Sequence, residues 1–97
     1  VDLRKNSSTY GKWIAEILSE KNHSSLYIPE GFAHGFCVLS NDANVLYKTT
    51  QDYSSEHECG IIWNDSDLNI SWPFKDPILS KKDQSLPLLK NQILHFI

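Results

Sequence analysis

The chain has 97 residues, 40% of them hydrophobic and 22% charged, with a formal net charge of −3. That length allows one domain with a modest core. The charge balance offers no basic patch for nucleic acid and no Lys/Arg stripe for a membrane surface, and no apolar run approaches transmembrane length.

Taken in chain order, residues 1–3 read as part of a strand already under way, and Asn6-Ser7-Ser8 and Tyr10-Gly11 carry turn chemistry. Residues 12–18 are ambiguous. Trp13, Ile14, Ile17 and Leu18 have helical spacing, yet the run has strand length and is bracketed by Gly11 and Ser19. The β-like character of the later segments favours strand. Residues 19–25 are polar and predict a turn. Residues 26–28 predict a short strand stopped by Pro29, with Glu30-Gly31 turning the chain. Residues 33–40 and 44–50 predict two strands of an antiparallel hairpin around Asn41-Asp42, with Val45, Tyr47 and Thr49 on one face.

Residues 51–59 predict a loop, and residues 60–63 form a short apolar run. Asn64-Asp65-Ser66-Asp67 predicts a turn. Leu68, Ile70 and Trp72 then alternate with Asn69 and Ser71 before Pro73 ends the run. Residues 80–83 open a polar segment, and Leu89, Ile93, Leu94 and Ile97 have the spacing of a short C-terminal helix. Many short strands separated by turns predict an all-β sandwich or barrel filling residues 1–97 as a single domain. Cys37 and Cys59 are the only cysteines. They read as free thiols in a reducing cytosol, which makes the expected location cytoplasmic.

Few side chains suggest chemistry. His34, in an apolar run beside glycine, could donate to a ligand; the plainer reading is a core histidine satisfied by a carbonyl. Tyr47 could serve as a general acid, because a phenol with its reference pKa of about 10 is protonated at neutral pH. The plainer reading there is a strand aromatic. Asp83 could orient an imidazole, Lys82 could contact phosphate, and Glu58 could accept from a base or sugar hydroxyl; each is otherwise a solvated surface residue. His23, His34, His57 and His95 lack metal-ligand spacing, so no metal is expected. Neither a phosphate-cradling glycine loop nor a nucleophile elbow is present.

The opening string Val1-Asp2-Leu3-Arg4-Lys5-Asn6-Ser7-Ser8-Thr9-Tyr10-Gly11-Lys12-Trp13, residues 26–36, Tyr47-Lys48-Thr49-Thr50, Tyr53, Trp63-Asn64-Asp65, Ser71-Trp72-Pro73 and Leu79-Ser80-Lys81-Lys82-Asp83 occur in order. Together they resemble the dTDP-4-dehydrorhamnose 3,5-epimerase family as far as about residue 90. The resemblance implies a cupin-type β jelly roll, N-terminally incomplete here, acting as a homodimer without cofactor or metal. It implies epimerisation at C3 and C5 of a dTDP-linked 4-keto-6-deoxyhexose on the route to dTDP-L-rhamnose.

By the same resemblance Tyr47 matches the catalytic acid and Asp83 the aspartate that partners a histidine base. His34, Glu58 and Lys82 match substrate-binding positions, and Tyr53 lies near the sugar or thymine. The family's base belongs to an Arg-Gly-Leu-His block upstream of Val1, and no such block occurs in the 97 residues. The chain therefore reads as a piece of a longer polypeptide, expected to be poorly stable and to show little or no epimerase activity by itself. The rival expectation is a non-catalytic nucleotide-sugar-binding module of the same fold; a more distant one is an interaction domain whose histidine and tyrosine are only core residues.

Overall fold

A computed structural model describes residues 1–49 and 59–91. Two carboxylate-centred assemblies organise them, one at the N-terminus and one in the C-terminal third.

The first forms because residues 1–3 are extended and flanked on both sides. Ala33 N–H donates to the Val1 carbonyl (2.9 Å) and Leu3 N–H to the Gly31 carbonyl (3.0 Å), which makes an antiparallel bridge between Asp2 and Phe32. On the other side Asp2 N–H donates to the Lys12 carbonyl (3.0 Å), and Gly11 N–H donates to that of Asp2 (2.7 Å). Between these contacts the chain turns through residues 5–11, as its Ser-, Asn- and Gly-rich composition predicts, and Gly11 takes the positive φ of 79° that a side chain would resist.

Inside this turn Asp2 is buried, with 2% of its surface exposed. Its carboxylate accepts from Arg4 Nε and Nη2 (3.0 Å each), Ser7 Oγ (2.6 Å), Thr9 Oγ1 (2.5 Å) and the Arg4 backbone N–H (3.0 Å). The Arg4 guanidinium also lies over the Phe32 ring, 4.8 Å from its centroid. The Arg4 guanidinium, then the two hydroxyls and the backbone N–H, hold the Asp2 carboxyl far below the usual carboxylate range, against the opposing effect of desolvation.

The second assembly spans residues 60–91. Residues 63–68 turn as predicted, closed by Asp65 N–H to the Ile62 carbonyl (3.3 Å) and Asn69 N–H to the Asp65 carbonyl (2.9 Å), with Asn69 at φ 51°. Beyond it Leu68 is buried, Ile70 and Trp72 are half-buried, and Asn69 and Ser71 are exposed, so the predicted alternation appears as burial. Trp72 Nε1–H donates to the Trp63 carbonyl (2.7 Å), stapling the end of this run to its start. Helix α1 (Lys81–Gln84) comes next, with Ser80 as N-cap accepting from Asp83 N–H, and a 3-10 turn covers Leu89–Asn91. That turn falls inside the terminal helix expected from residue 88 onward; residues 92–97 lie outside the described ones.

Several expected elements take another form. Residues 12–18 adopt neither helix nor strand, and the chain next turns at residues 20–23, where Asn22 Nδ2–H donates to the Ile17 carbonyl (2.8 Å). Residues 26–28, 33–40, 44–49, 60–63 and 68–72 form no strand ladder among the described residues, the bridge at Asp2 and Phe32 being isolated. Short strands hold only when several share a covered apolar face, because a lone hairpin is marginal in water. Here that cover is thin. Leu3 and Leu68 are the buried hydrophobics among the described residues, while Ile14, Tyr27, Leu46 and Ile78 are 76%, 81%, 86% and 103% exposed.

Candidate functional site

The sequence places Tyr47 and His34 on opposite sides of a reversal at residues 40–42, where Ser40 Oγ donates to the Asp42 carbonyl (2.5 Å). The reversal brings their rings together. The His34 and Tyr47 centroids lie 5.9 Å apart at an interplanar angle of 51°, and Phe36 lies 6.5 Å from Tyr47. Tilted rings at these distances attract weakly through their quadrupoles. The approach expected of a hairpin is thus made by side chains without a ladder. Neither residue belongs to the core: His34 is exposed, and Tyr47 is 53% exposed. An imidazole and a phenol therefore face solvent side by side, where a ligand could meet both.

Two glycines lie close to this pair. Gly31, at φ 89°, makes the turn that feeds the histidine-bearing segment. At Gly35 a Cβ would meet Trp72 Cη2 at 3.9 Å, an ordinary contact. The distal edge of the Trp72 indole thus lies against the residue after His34, which links the pair to the C-terminal assembly.

Lys82 and Asp83 are neighbours on α1, both exposed. The Ser80 cap fixes the backbone of Asp83. Tyr53 and Glu58 lie outside the described residues. Of the sequence-derived candidates the structure brings His34 and Tyr47 together, while Lys82 and Asp83 are adjacent in sequence on α1. An open depression of about 450 Å³ lies between Trp63, Asn69, Trp72 and Lys75, and none of these four candidates lines it. Among the described residues no three His, Cys, Asp or Glu side chains gather as a metal site would require, and no helix is long and apolar enough to cross a membrane. Cys37 is half-buried and Cys59 exposed, both as free thiols.

Sequence reasoning passed over Asp65. It is 2% exposed, with Oδ1 accepting from Asp67 N–H (2.8 Å) and Leu68 N–H (3.0 Å) and Oδ2 from Leu89 N–H (2.6 Å). Burial pushes its carboxyl up, but the three N–H donors and the charge of Lys90 outweigh it and leave the pKa below the usual value. Asp65 sits in an Asn-Asp-Ser-Asp run that reads as an ordinary turn. The bonds to residues 67 and 68 are an aspartate's habit in turns, whereas the reach to Leu89 has no local signal.

The family model for dTDP-4-dehydrorhamnose 3,5-epimerase matches residues 1–91. Curated relatives bearing that name include proteins from Shigella flexneri, 55% identical over 86% of this chain and 46% of the relative, and Pseudomonas aeruginosa, 54% identical over 87% and 47%. Another, from Salmonella typhimurium, is 50% identical over 97% of this chain and 52% of the relative. The chain spans about half the length of these relatives. No solved structure matches it. A family-model match over residues 1–91, with relatives at about half identity over most of the chain, makes the chain a member of the dTDP-4-dehydrorhamnose 3,5-epimerase family.

Proposed function

We propose that the protein to which this chain belongs epimerises C3 and C5 of dTDP-4-dehydro-6-deoxy-D-glucose, giving dTDP-4-dehydro-L-rhamnose for dTDP-L-rhamnose biosynthesis. It would do so as a cytoplasmic homodimer on a cupin-type jelly roll. The observation that carries the reading is the exposed His34–Tyr47 pair, formed by residues matching two functional positions of the family.

The chemistry is dictated by the substrate. The C4 ketone acidifies the protons on C3 and C5; a base removes one, and the resulting enolate is reprotonated on the opposite face. Tyr47 supplies that proton from its hydroxyl. His34 holds the diphosphate end, with Lys82 adding a cation suited to phosphate. Asp83 orients and charge-stabilises the histidine base, as a carboxylate does for an imidazole. Tyr53 and Glu58 complete the nucleotide-sugar contacts. No step calls for a cofactor or metal, since the ketone itself delocalises the negative charge.

The test is solvent exchange. The full-length protein, given the 4-keto-6-deoxy sugar nucleotide in D2O, is expected to place deuterium at both C3 and C5. Tyr47→Phe is expected to lower turnover by about 10²–10⁴-fold, the usual worth of a positioned acid, while dTDP affinity measured by calorimetry stays within about twofold of wild type. Binding of dTDP without any exchange would overturn the enzyme reading in favour of a non-catalytic binding module. Unchanged turnover in Tyr47→Phe would remove Tyr47 from the acid role.

A further inference from the structure

We propose that Asp65 is a positioning residue for Asp83, acting through the chain segment that joins them; the proposal rests on the epimerase reading above. Helix α1 has four residues and buries none of them, so no apolar contact of its own holds it in place. Ser80 and Leu79 tie it on the N-terminal side, and the segment C-terminal to it is a second tether. Ser85 is bonded back onto the helix, its N–H and Oγ both donating to the Lys82 carbonyl (3.1 and 3.0 Å).

Immediately beyond, the chain is pinned at three successive places. Leu86 packs over Gly60, where a Cβ would come within 3.0 Å of Leu86 Cδ2. Ile62 N–H donates to the Pro87 carbonyl (2.8 Å). Leu89 N–H donates to Asp65 Oδ2 (2.6 Å), a link spanning 24 residues. Gln84 and Ser85 alone separate Asp83 from the pinned stretch, and both are tied to the helix or its cap. Leu89 is the outermost of the three pins on the stretch that leads directly into Asp83.

The need for a carboxylate is specific. Oδ1 closes the turn at residues 67 and 68 while Oδ2 makes the long-range link, so both oxygens must accept. Asparagine can keep one function only, because its amide would set N–H groups against the Leu89 N–H. Leu89→Pro removes the same link from the other end by taking away the N–H, at the first position of a short helical turn where proline is tolerated.

The experiment is a double-mutant cycle on the full-length protein with Asp65→Asn, Leu89→Pro and Asp83→Asn. It reads kcat, KM for the sugar nucleotide, and folding by thermal melt. Asp65→Asn and Leu89→Pro are each expected to lower kcat by about tenfold or more with KM within about twofold. Each double variant with Asp83→Asn should be no slower than Asp83→Asn alone, the signature of residues acting as one unit. If Asp65→Asn is unfolded at the assay temperature, Leu89→Pro carries the cycle. Wild-type kcat in the two linker variants, or losses that multiply in the doubles, would overturn the proposal and leave the role of Asp83 standing. Full turnover in Asp83→Asn would overturn both.

Discussion

Two buried carboxylates define this molecule at the scale of the residue, and each is satisfied by donors rather than neutralised. For Asp2 the donors are a guanidinium, two hydroxyls and a backbone amide. For Asp65 they are three backbone amides. Both carboxyls are held below their ordinary pKa in the folded chain. A group depressed in this way stabilises the fold fully above its unfolded pKa, about 3.9 for aspartate, and loses that contribution as pH falls toward the folded value. Stability of the full-length protein is accordingly expected to be flat from neutrality to about pH 5 and to decline below about pH 4. Asp2→Asn should weaken the decline while lowering stability at pH 7. Urea titrations at a series of pH values check this, and identical pH slopes in wild type and Asp2→Asn would contradict it. The sequence showed Asp2 and Asp65 as a strand residue and a turn residue. Their burial was hidden because it depends on which donors the chain folds around them, and periodicity carries no such information.

At the scale of the element, turns were the most legible part of the sequence. Residues 5–11 and 63–68 turn where Gly, Asn, Asp and Ser cluster, and residues 20–23 and 30–31 turn around Asn22 and Gly31, because these residues carry their own local hydrogen-bonding and φ preferences. Asn69 shows the requirement directly, with its φ of 51° in the left-handed region. Asn69→Gly should leave stability unchanged or slightly raised. Asn69→Val should cost about 1–2 kcal/mol, the penalty of left-handed backbone for a residue with a branched Cβ. Chemical denaturation of the two variants checks the prediction, and a valine variant as stable as the glycine one would contradict it. Strands were less legible, since a run such as residues 44–49 acquires a ladder only from partners elsewhere and its alternation specifies a face, not a neighbour. The His34–Tyr47 approach was readable nonetheless, because a reversal between two apolar runs is local information. The hold on α1 was not. It comes from Gly60, Ile62 and Asp65, all far outside the single turn over which helix positions are neighbours in sequence.

For the whole molecule, the balance of buried and exposed surface dominates. Among the described residues, large apolar side chains are exposed at intervals from Tyr10 to Tyr47, as well as at Phe74 and Ile78, against buried Leu3 and Leu68. Exposed apolar surface on this scale draws other molecules to it. The 97-residue chain expressed alone is therefore expected to bind a hydrophobic dye such as ANS, to self-associate on gel filtration, and to melt without a sharp transition. A monomer with a cooperative melt and no dye binding would contradict this. Family membership was legible from ordered blocks of residues, while the surfaces those blocks bury against one another were not, because burial belongs to the assembled fold. The Asp2 turn carries a last consequence, for the order of folding. Its hydroxyl contacts span five and seven residues, whereas the bridge from Asp2 to Phe32 spans thirty. A loop of the shorter kind closes on the order of 10–100 ns, and longer closures lose more chain entropy. The carboxylate is thus expected to gather its donors before the segment at Phe32 docks against the peptide edge beside it, an order that folding kinetics of Ser7→Ala and Phe32→Ala variants would check.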